Sequence, residues 1–247
     1  MPEVLEEVKC VLLDIEGTVC PISFVKDTLF PYALNALPHV LAEQWSSPDF
    51  VPYRDAFPAE ARRSPEAFEA HVQDLTRRDV KIAYLKELQG YLWQTGYSTG
   101  AYSTPLFDDV VPQLKHWHAS SVQLAIYSSG SVFAQKLLFA HVKGHGDLTA
   151  LITDWFDTAN AGPKTEEGSY RRIAMALDLQ CNNVLFLSDN VRETEAALAA
   201  GMKAIVVERP GNAPLSDADK KNFEVVDSLH EISFATENKI DARFWKR

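Results

Sequence analysis

Short apolar runs alternate with longer amphipathic stretches along most of the chain, and the pattern changes character between residues 24 and 105. The runs within KCVLLDIEGTVCP, VQLAIYSSG, NVLFLSDN and MKAIVVERPG are continuously apolar instead of alternating. Strands buried on both faces have that composition, so these segments predict parallel strands whose polar residues gather where each strand ends. SVFAQKLLFAHV and EEGSYRRIAMALDL lie between them and predict helices. Strand and helix in alternation imply an α/β fold with helices on both faces of a parallel sheet. Asn190, followed by Glu193 and AALAAG, predicts an N-cap with its N3 carboxylate, and Gly201 predicts a left-handed helix end. Val184 to Val207 is therefore expected to be a strand, helix, strand unit.

Within residues 24–105 the period is helical. Leu34, Leu37, Leu41 and Trp45 share one stripe, in which Pro38 predicts a kink or break. Phe68, Val72, Leu75, Ile82, Leu85, Leu88 and Leu92 form another, interrupted at Asp79, over one or two helices. That phase leaves Glu69, Arg77, Arg78 and Lys86 largely solvated. The Pro-rich SSPDFVPYRDAFPAEARRSP reads as a surface loop. The expected organisation is a core of residues 1–23 and 106–247 with a helical cap, 24–105, inserted after the first strand.

Composition narrows the class. With 247 residues and 46% hydrophobic content, a compact chain has ample material for a core. The formal charge of -10 argues against nucleic acid and anionic lipid as partners, so an anionic substrate needs a local site or a metal. Cys10, Cys20 and Cys181 are odd in number and lack zinc-site spacing, which fits buried thiols in a reducing compartment. The acidic start MPEVLEEVKC does not read as a secretory leader, and no apolar stretch is long enough to cross a membrane. A cytoplasmic protein is expected.

The candidate chemistry lies at the predicted strand ends. Asp14 ends the first run, Glu16 follows two residues later, and Gly17-Thr18 breaks the strand. Ser128-Ser129-Gly130 ends a second run ahead of a helix, where hydroxyls, backbone N–H groups and the helix N-terminus can donate to anionic oxygens. Asp189 ends a third, and gathering it with Asp14 and Glu16 requires a cation, for which Mg²⁺ has the right preference for oxygen. Lys164, in NAGPKTEEGSY, supplies a compensating point charge. Each residue alone has an ordinary structural reading as turn, cap or surface group. Their common placement at one sheet edge favours phosphate chemistry. Glu193 is assigned to its own helix N-terminus, and Phe24, Trp93 and Tyr97 are candidates for the lining of the cap.

The ordered set D-I-E-G-T, S-S-G, Lys164 and Asp189 resembles the haloacid-dehalogenase-like phosphohydrolases, with Glu16 where a second Asp is usual. With LLDIEGTVCPISFVKDTLFPY, GYLWQTGYSTG, IYSSGSVFAQKLLF and FLSDNVRETEAALAAG, the chain is similar over nearly its whole length to the enolase-phosphatase E1, or acireductone synthase, family. Cys20, the short HVKGHG connection and Glu193 in place of a further Asp are local departures. The resemblance implies a Rossmann-like core under a helical cap, Mg²⁺ held by Asp14, Glu16 and Asp189, and substrate bound by Ser128, Ser129 and Lys164. It also implies catalysis by Asp14, Glu16 and Lys164. The implied substrate is a small phosphorylated diketone, enolised and then dephosphorylated in methionine salvage. A monomer is implied too, in the cytoplasm and also the nucleus. Another Mg²⁺-dependent capped phosphomonoester phosphatase is the alternative, followed by a phosphate-using mutase or a dehalogenase; a silent metabolite-binding protein would not require the paired acids Asp14 and Glu16.

Overall fold

The computed structural model describes residues 8–234, so the expectation for the acidic start falls largely outside the described residues. The continuous apolar runs form strands as their composition requires: β1 (Cys10–Leu13), β2 (Gln123–Tyr127), β4 (Val184–Ser188) and β5 (Lys203–Val207). Two shorter strands, β3 (Asp154–Phe156) and β6 (Val225–Val226), complete one parallel sheet in the order β3-β2-β1-β4-β5-β6. The order reverses beside β1, and a crevice opens there at the carboxyl ends of β1 and β4.

Side chains alternate across the sheet. Val11 and Leu13 face one apolar layer with Leu124, Ile126, Leu185 and Leu187, while Cys10 and Leu12 face a second with Tyr127, Tyr170 and Phe186. Both layers are sealed by helices, so β1 and β4 are buried throughout.

The helical insertion follows β1 and begins with α1 (Ile22–Phe24), which runs through a π-helical turn, Val25–Leu29, into α2 (Phe30–Gln44). Helix α2 passes through Pro38 without the break that was one of the two expected outcomes. Pro38 is exposed, so the hydrogen bond it cannot donate is lost on the solvated side, while Ala33, Leu37, Val40 and Leu41 stay buried. The segment 46–65 is also more than a surface loop. It contains α3 (Val51–Asp55), and Phe50 and Phe57 insert against Phe68, at ring separations of 6.0 and 4.4 Å. Such aromatic pairs contribute about 0.5–1.5 kcal/mol beyond burial, which is why this polar, Pro-rich stretch is anchored.

The long stripe forms two helices, α4 (Pro65–Arg77) and α5 (Ala83–Ser98), separated at Asp79, whose φ of 50° no helix accommodates. Helix α5 approaches the core closely: a Cβ at Gly90 would meet the Phe133 ring at 3.0 Å. The chain then returns through Thr104, which exchanges backbone hydrogen bonds with His141 and Lys143 at 2.8 and 2.9 Å. Helix α6 (Val110–Ala119) leads into β2, and α7 (Val132–Ala140), α8 (Glu167–Ala176), α9 (Val191–Ala199) and α10 (Asp217–Asn222) complete the helices. Gly201 closes α9 at φ 91°, as expected. No helix among the described residues is long and apolar enough to cross a membrane.

Candidate active site

Asp14 leaves β1 with its N–H donating to the Leu187 carbonyl of β4 at 2.9 Å, a bond that fixes the carboxylate at the crevice. Its Oδ1 accepts the Ile15 N–H at 2.8 Å and lies 2.6 Å from Lys164 Nζ. Lys164 is itself buried, on a loop held by the Tyr127 hydroxyl on the Gly162 carbonyl and the Tyr170 hydroxyl on the Lys164 carbonyl, both at 2.7 Å. The same Nζ lies 2.6 Å from Glu193 Oε2, which also accepts the Ser188 hydroxyl at 2.9 Å.

Glu193 is therefore not the capping carboxylate of α9. Asn190 caps that helix, accepting the Arg192 N–H at 3.0 Å, and Glu193 is drawn inward by the buried Lys164 ammonium. Sequence reading missed this, and also missed Ser188 and the buried Arg209. Arg209 donates to the Thr18 carbonyl at 3.0 Å and pairs with Asp109 at 2.9 Å, and the Thr18 hydroxyl in turn accepts the Asp189 N–H at 3.0 Å. The only forewarning was the charged pair Glu208-Arg209 after the last long apolar run.

The charges are out of balance. Burial lowers the affinity of Lys164 for its proton, but the Asp14 and Glu193 carboxylates outweigh that and hold it well above the ordinary lysine range. Asp189 is pushed up to about 7 by burial and by Asp14 and Glu193. Burial, followed by Asp14, also raises Glu193 and Glu16. Asp14, Asp189 and Glu193 thus face one ammonium, a donor set with two negative charges in excess that suits a hard divalent cation.

No three His, Cys, Asp or Glu side chains converge as a ready cluster among the described residues. The loop backbone supplies a further oxygen. The Ile15, Gly17 and Thr18 carbonyls are taken by Val19, Asn212 and Arg209, whereas that of Glu16 has no protein donor among the described residues. Two carboxylates and one free carbonyl fit Mg²⁺.

Gly17 keeps this corner open. Its φ is 75°, and a Cβ there would stand 2.4 Å from Asp189 Oδ2. Gly17→Ala is expected to cost about 1–2 kcal/mol in backbone strain and to displace the Asp189 carboxylate. Unfolding and Mg²⁺ titration of phosphate release check both effects; an unchanged half-saturating Mg²⁺ concentration would show that Asp189 tolerates the methyl group.

Beside this cluster lies a cavity of about 470 Å³ between core and cap. Glu16, Ser128 and Ser129 line it from the core, and Leu29, Leu85 and Trp93 from the cap. Asp14, Lys164 and Asp189 are not among its walls; the chain passes from Asp14 to the cavity through Ile15 and Glu16. All six proposed site residues thus gather at one sheet edge, with Glu16 placed between the two regions.

Three expectations are corrected here. The N-terminus of α7 is not free for an anion, because Ser131 Oγ accepts the Ala134 N–H at 3.4 Å and Asp157 the Val132 N–H at 3.0 Å. Trp93 faces the cavity, but Phe24 packs edge-on to Tyr102 and Tyr97 stacks on His141, so these two serve packing. Lys86 is not solvated: its Nζ reaches across to the Ser129 carbonyl at 2.6 Å. Cys10, Cys20 and Cys181 are free, and burial pushes the Cys10 thiol up to about 12.

A parallel sheet with an acid and a lysine paired at its carboxyl edge, beneath an inserted helical cap, defines a haloacid dehalogenase-like hydrolase. A family model of that description matches residues 8–201. The chain is 60% identical over 227 residues to enolase-phosphatase E1 of Podospora anserina, covering 91% of this chain and 97% of that protein. It is 58% identical over 232 residues to enolase-phosphatase E1 of Chaetomium globosum, with the same coverage. The crystal structure of the UTR4 protein of Saccharomyces cerevisiae superposes with a TM-score of 0.81 at 38% identity, covering 91% of this chain and all of that one. The chain belongs to the enolase-phosphatase E1 family of haloacid dehalogenase-like hydrolases.

Proposed function

We propose that this protein is an Mg²⁺-dependent enolase-phosphatase of methionine salvage. It converts 2,3-diketo-5-methylthiopentyl 1-phosphate to 1,2-dihydroxy-5-methylthiopent-1-en-3-one and phosphate. The observation that carries the reading is the adjacency of two chemistries: the Asp14–Lys164 pair at 2.6 Å, and Glu16 two residues on, in the wall of a cavity large enough for an organic chain.

Asp14 is the nucleophile. Its carboxylate attacks phosphorus in line, the ester oxygen leaves, and an aspartyl phosphate forms. Lys164 holds a fixed positive charge where phosphate charge redistributes, and Ser128 and Ser129 offer hydroxyls from the facing loop. Asp14, Asp189 and the Glu16 carbonyl would hold Mg²⁺, which supplies charge neutralisation at the phosphate and the enolate. Glu16 transfers protons: its raised proton affinity suits donation to the leaving oxygen, and afterwards it activates water against the aspartyl phosphate. In the preceding enolisation it takes the carbon-bound proton next to a carbonyl. The cap encloses the methylthio chain against its apolar wall and excludes water. The enzyme acts as a monomer in the cytoplasm and nucleus.

The test is one time course. Purified protein with Mg²⁺ and the diketo phosphate should show enol absorbance rising before free phosphate. Phosphate released with no preceding enol would favour a general capped phosphatase.

Glu16→Asp refines it. Withdrawing the carboxylate by one methylene is expected to slow enolisation by about 10²-fold, since 1 Å errors near reacting atoms cost that much. Hydrolysis of a simple phosphomonoester should suffer less, because an Asp already serves that geometry elsewhere in the superfamily. Enol phosphate forming at the parental rate, with only phosphate release slowed, would remove Glu16 as the enolisation base.

A further inference from the structure

We infer that Lys86, on cap helix α5, is a catalytic residue of the enolisation half-reaction whose ammonium stabilises the developing enolate oxygen; this assignment rests on the enolase-phosphatase reading.

Lys86 is a half-buried cation without a counter-ion. Its Nζ donates to the Ser129 carbonyl at 2.6 Å and the Thr158 hydroxyl at 3.4 Å, both neutral, and no carboxylate lies within ion-pair distance among the described residues. The other ammoniums of the cavity wall differ from it. Lys26 and Lys81 are exposed, and Lys81 lies near Asp79 at 3.8 Å. An ammonium has three N–H donors, and two have partners in Lys86, leaving one. Taking such a group partly out of water is costly unless an anion arrives.

The geometry selects which anion. Lys86 engages the carbonyl of Ser129, whereas a phosphate needs that loop's hydroxyl and N–H donors and already has Lys164, which is paired with Asp14 and is not part of the cavity wall that holds Lys86. Lys86 enters from the cap, the side that encloses the organic part of the substrate. It shares the cavity with Glu16; burial and the Lys81 charge lower its hold on its proton, which Asp157 and Glu16 only partly offset.

The step balances without a co-reactant. Glu16 takes a proton from the phosphate-bearing carbon; the C–H electron pair forms the new C=C bond, and the carbonyl π pair moves onto oxygen beside Lys86. Return of one proton to that oxygen gives the enol. A donor preset for that oxyanion is worth more in the transition state than in the ground state, where the oxygen carries only a carbonyl's partial charge.

The experiment uses full-length protein with Mg²⁺. Lys86→Ala, Lys86→Arg and Thr158→Val are compared with the parent for enol phosphate formation from the diketo phosphate and for hydrolysis of 4-nitrophenyl phosphate. Thermal unfolding confirms that each variant is folded. Lys86→Ala is expected to slow enol formation by about 10²-fold or more, as for loss of one oxyanion donor, and to slow control hydrolysis far less. Lys86→Arg, or added ethylammonium on Lys86→Ala, should restore enol formation, because what is missing is a charged donor. Thr158→Val removes a neighbour of the cap contact and leaves the charge, and should stay near the parent.

Equal losses in both assays would make Lys86 a phosphate holder and overturn the proposal. So would a Thr158→Val variant that reproduces the loss, which would make the contact a latch, or enol formation unaffected by Lys86→Ala. A parent that releases phosphate from the diketo phosphate with no enol at any time would instead sink the enolase reading, and this assignment with it.

Discussion

Asp14→Asn is expected to reduce phosphate release by at least about 10³-fold, because it removes the covalent nucleophile at nearly constant size. The loss has two sources. An amide is a poor nucleophile, and it cannot accept the Lys164 charge that now sits 2.6 Å from Oδ1. Quenching the parent during turnover should trap phosphate on Asp14, and the variant should carry none. A label on another residue would move the nucleophile elsewhere and leave Asp14 as a metal or structural ligand. Because Asp14 also raises the proton affinities of Glu16, Asp189 and Glu193, the substitution should let all three ionise more readily. Full inactivity therefore cannot be blamed on a protonated Asp189.

Lys164→Met is expected to be nearly as damaging to turnover, by about 10²–10³-fold for loss of a preset electrostatic group, and more damaging to the fold. Lys164 bridges two buried carboxylates, and breaking a buried pair by removing one partner costs about 3–5 kcal/mol. The double variant Lys164→Met, Glu193→Gln separates the roles. It removes one stranded carboxylate, so it should regain much of the stability while turnover stays low. Denaturant unfolding and phosphate release measured on the same samples check this. If activity returned with stability, Lys164 would be a structural counter-ion and no part of phosphate binding.

The sheet was legible wherever a strand is buried on both faces, since only there does the chain carry an unbroken apolar run. β1, β2, β4 and β5 have such runs, and the polar residues that directly follow β1, β2 and β4 are the site residues Asp14, Ser128 and Asp189. The edge strands β3 and β6 are three and two residues long, too short to show any period. Chain pattern also misjudged groups whose partners are distant in sequence. Glu193 occupies a helix N3 position and looked like a local cap, but it answers to Lys164. Lys86 sits on the polar phase of α5, yet its partner lies 43 residues away on the core. Phe50 and Phe57 are embedded in residues that look solvated, and only the third dimension brings them to Phe68. Local signals were reliable where the partner is local, as at Gly201, and failed where a buried charge or ring recruits from afar.

The register of β1 has a consequence for how the chain is made. Cys10 pairs with Gln123 on one side and Val184 on the other, so the first of the six described strands to be made has no neighbour until much later segments follow. At about 5–20 residues per second, the wait for β4 is roughly 10–35 seconds. Until β2 emerges Cys10–Leu13 is an unpaired apolar strand, and until β4 follows it keeps one open edge, a state prone to sticking to other chains. The helices between β1 and β2 contact one another at short sequence separation and have time to assemble first. Newly made protein should therefore pass through a stage with a formed cap and an open sheet. Its last folding event would be the capture of β1 between β2 and β4, which creates the nucleophile's position and completes the hydrophobic core at the same moment.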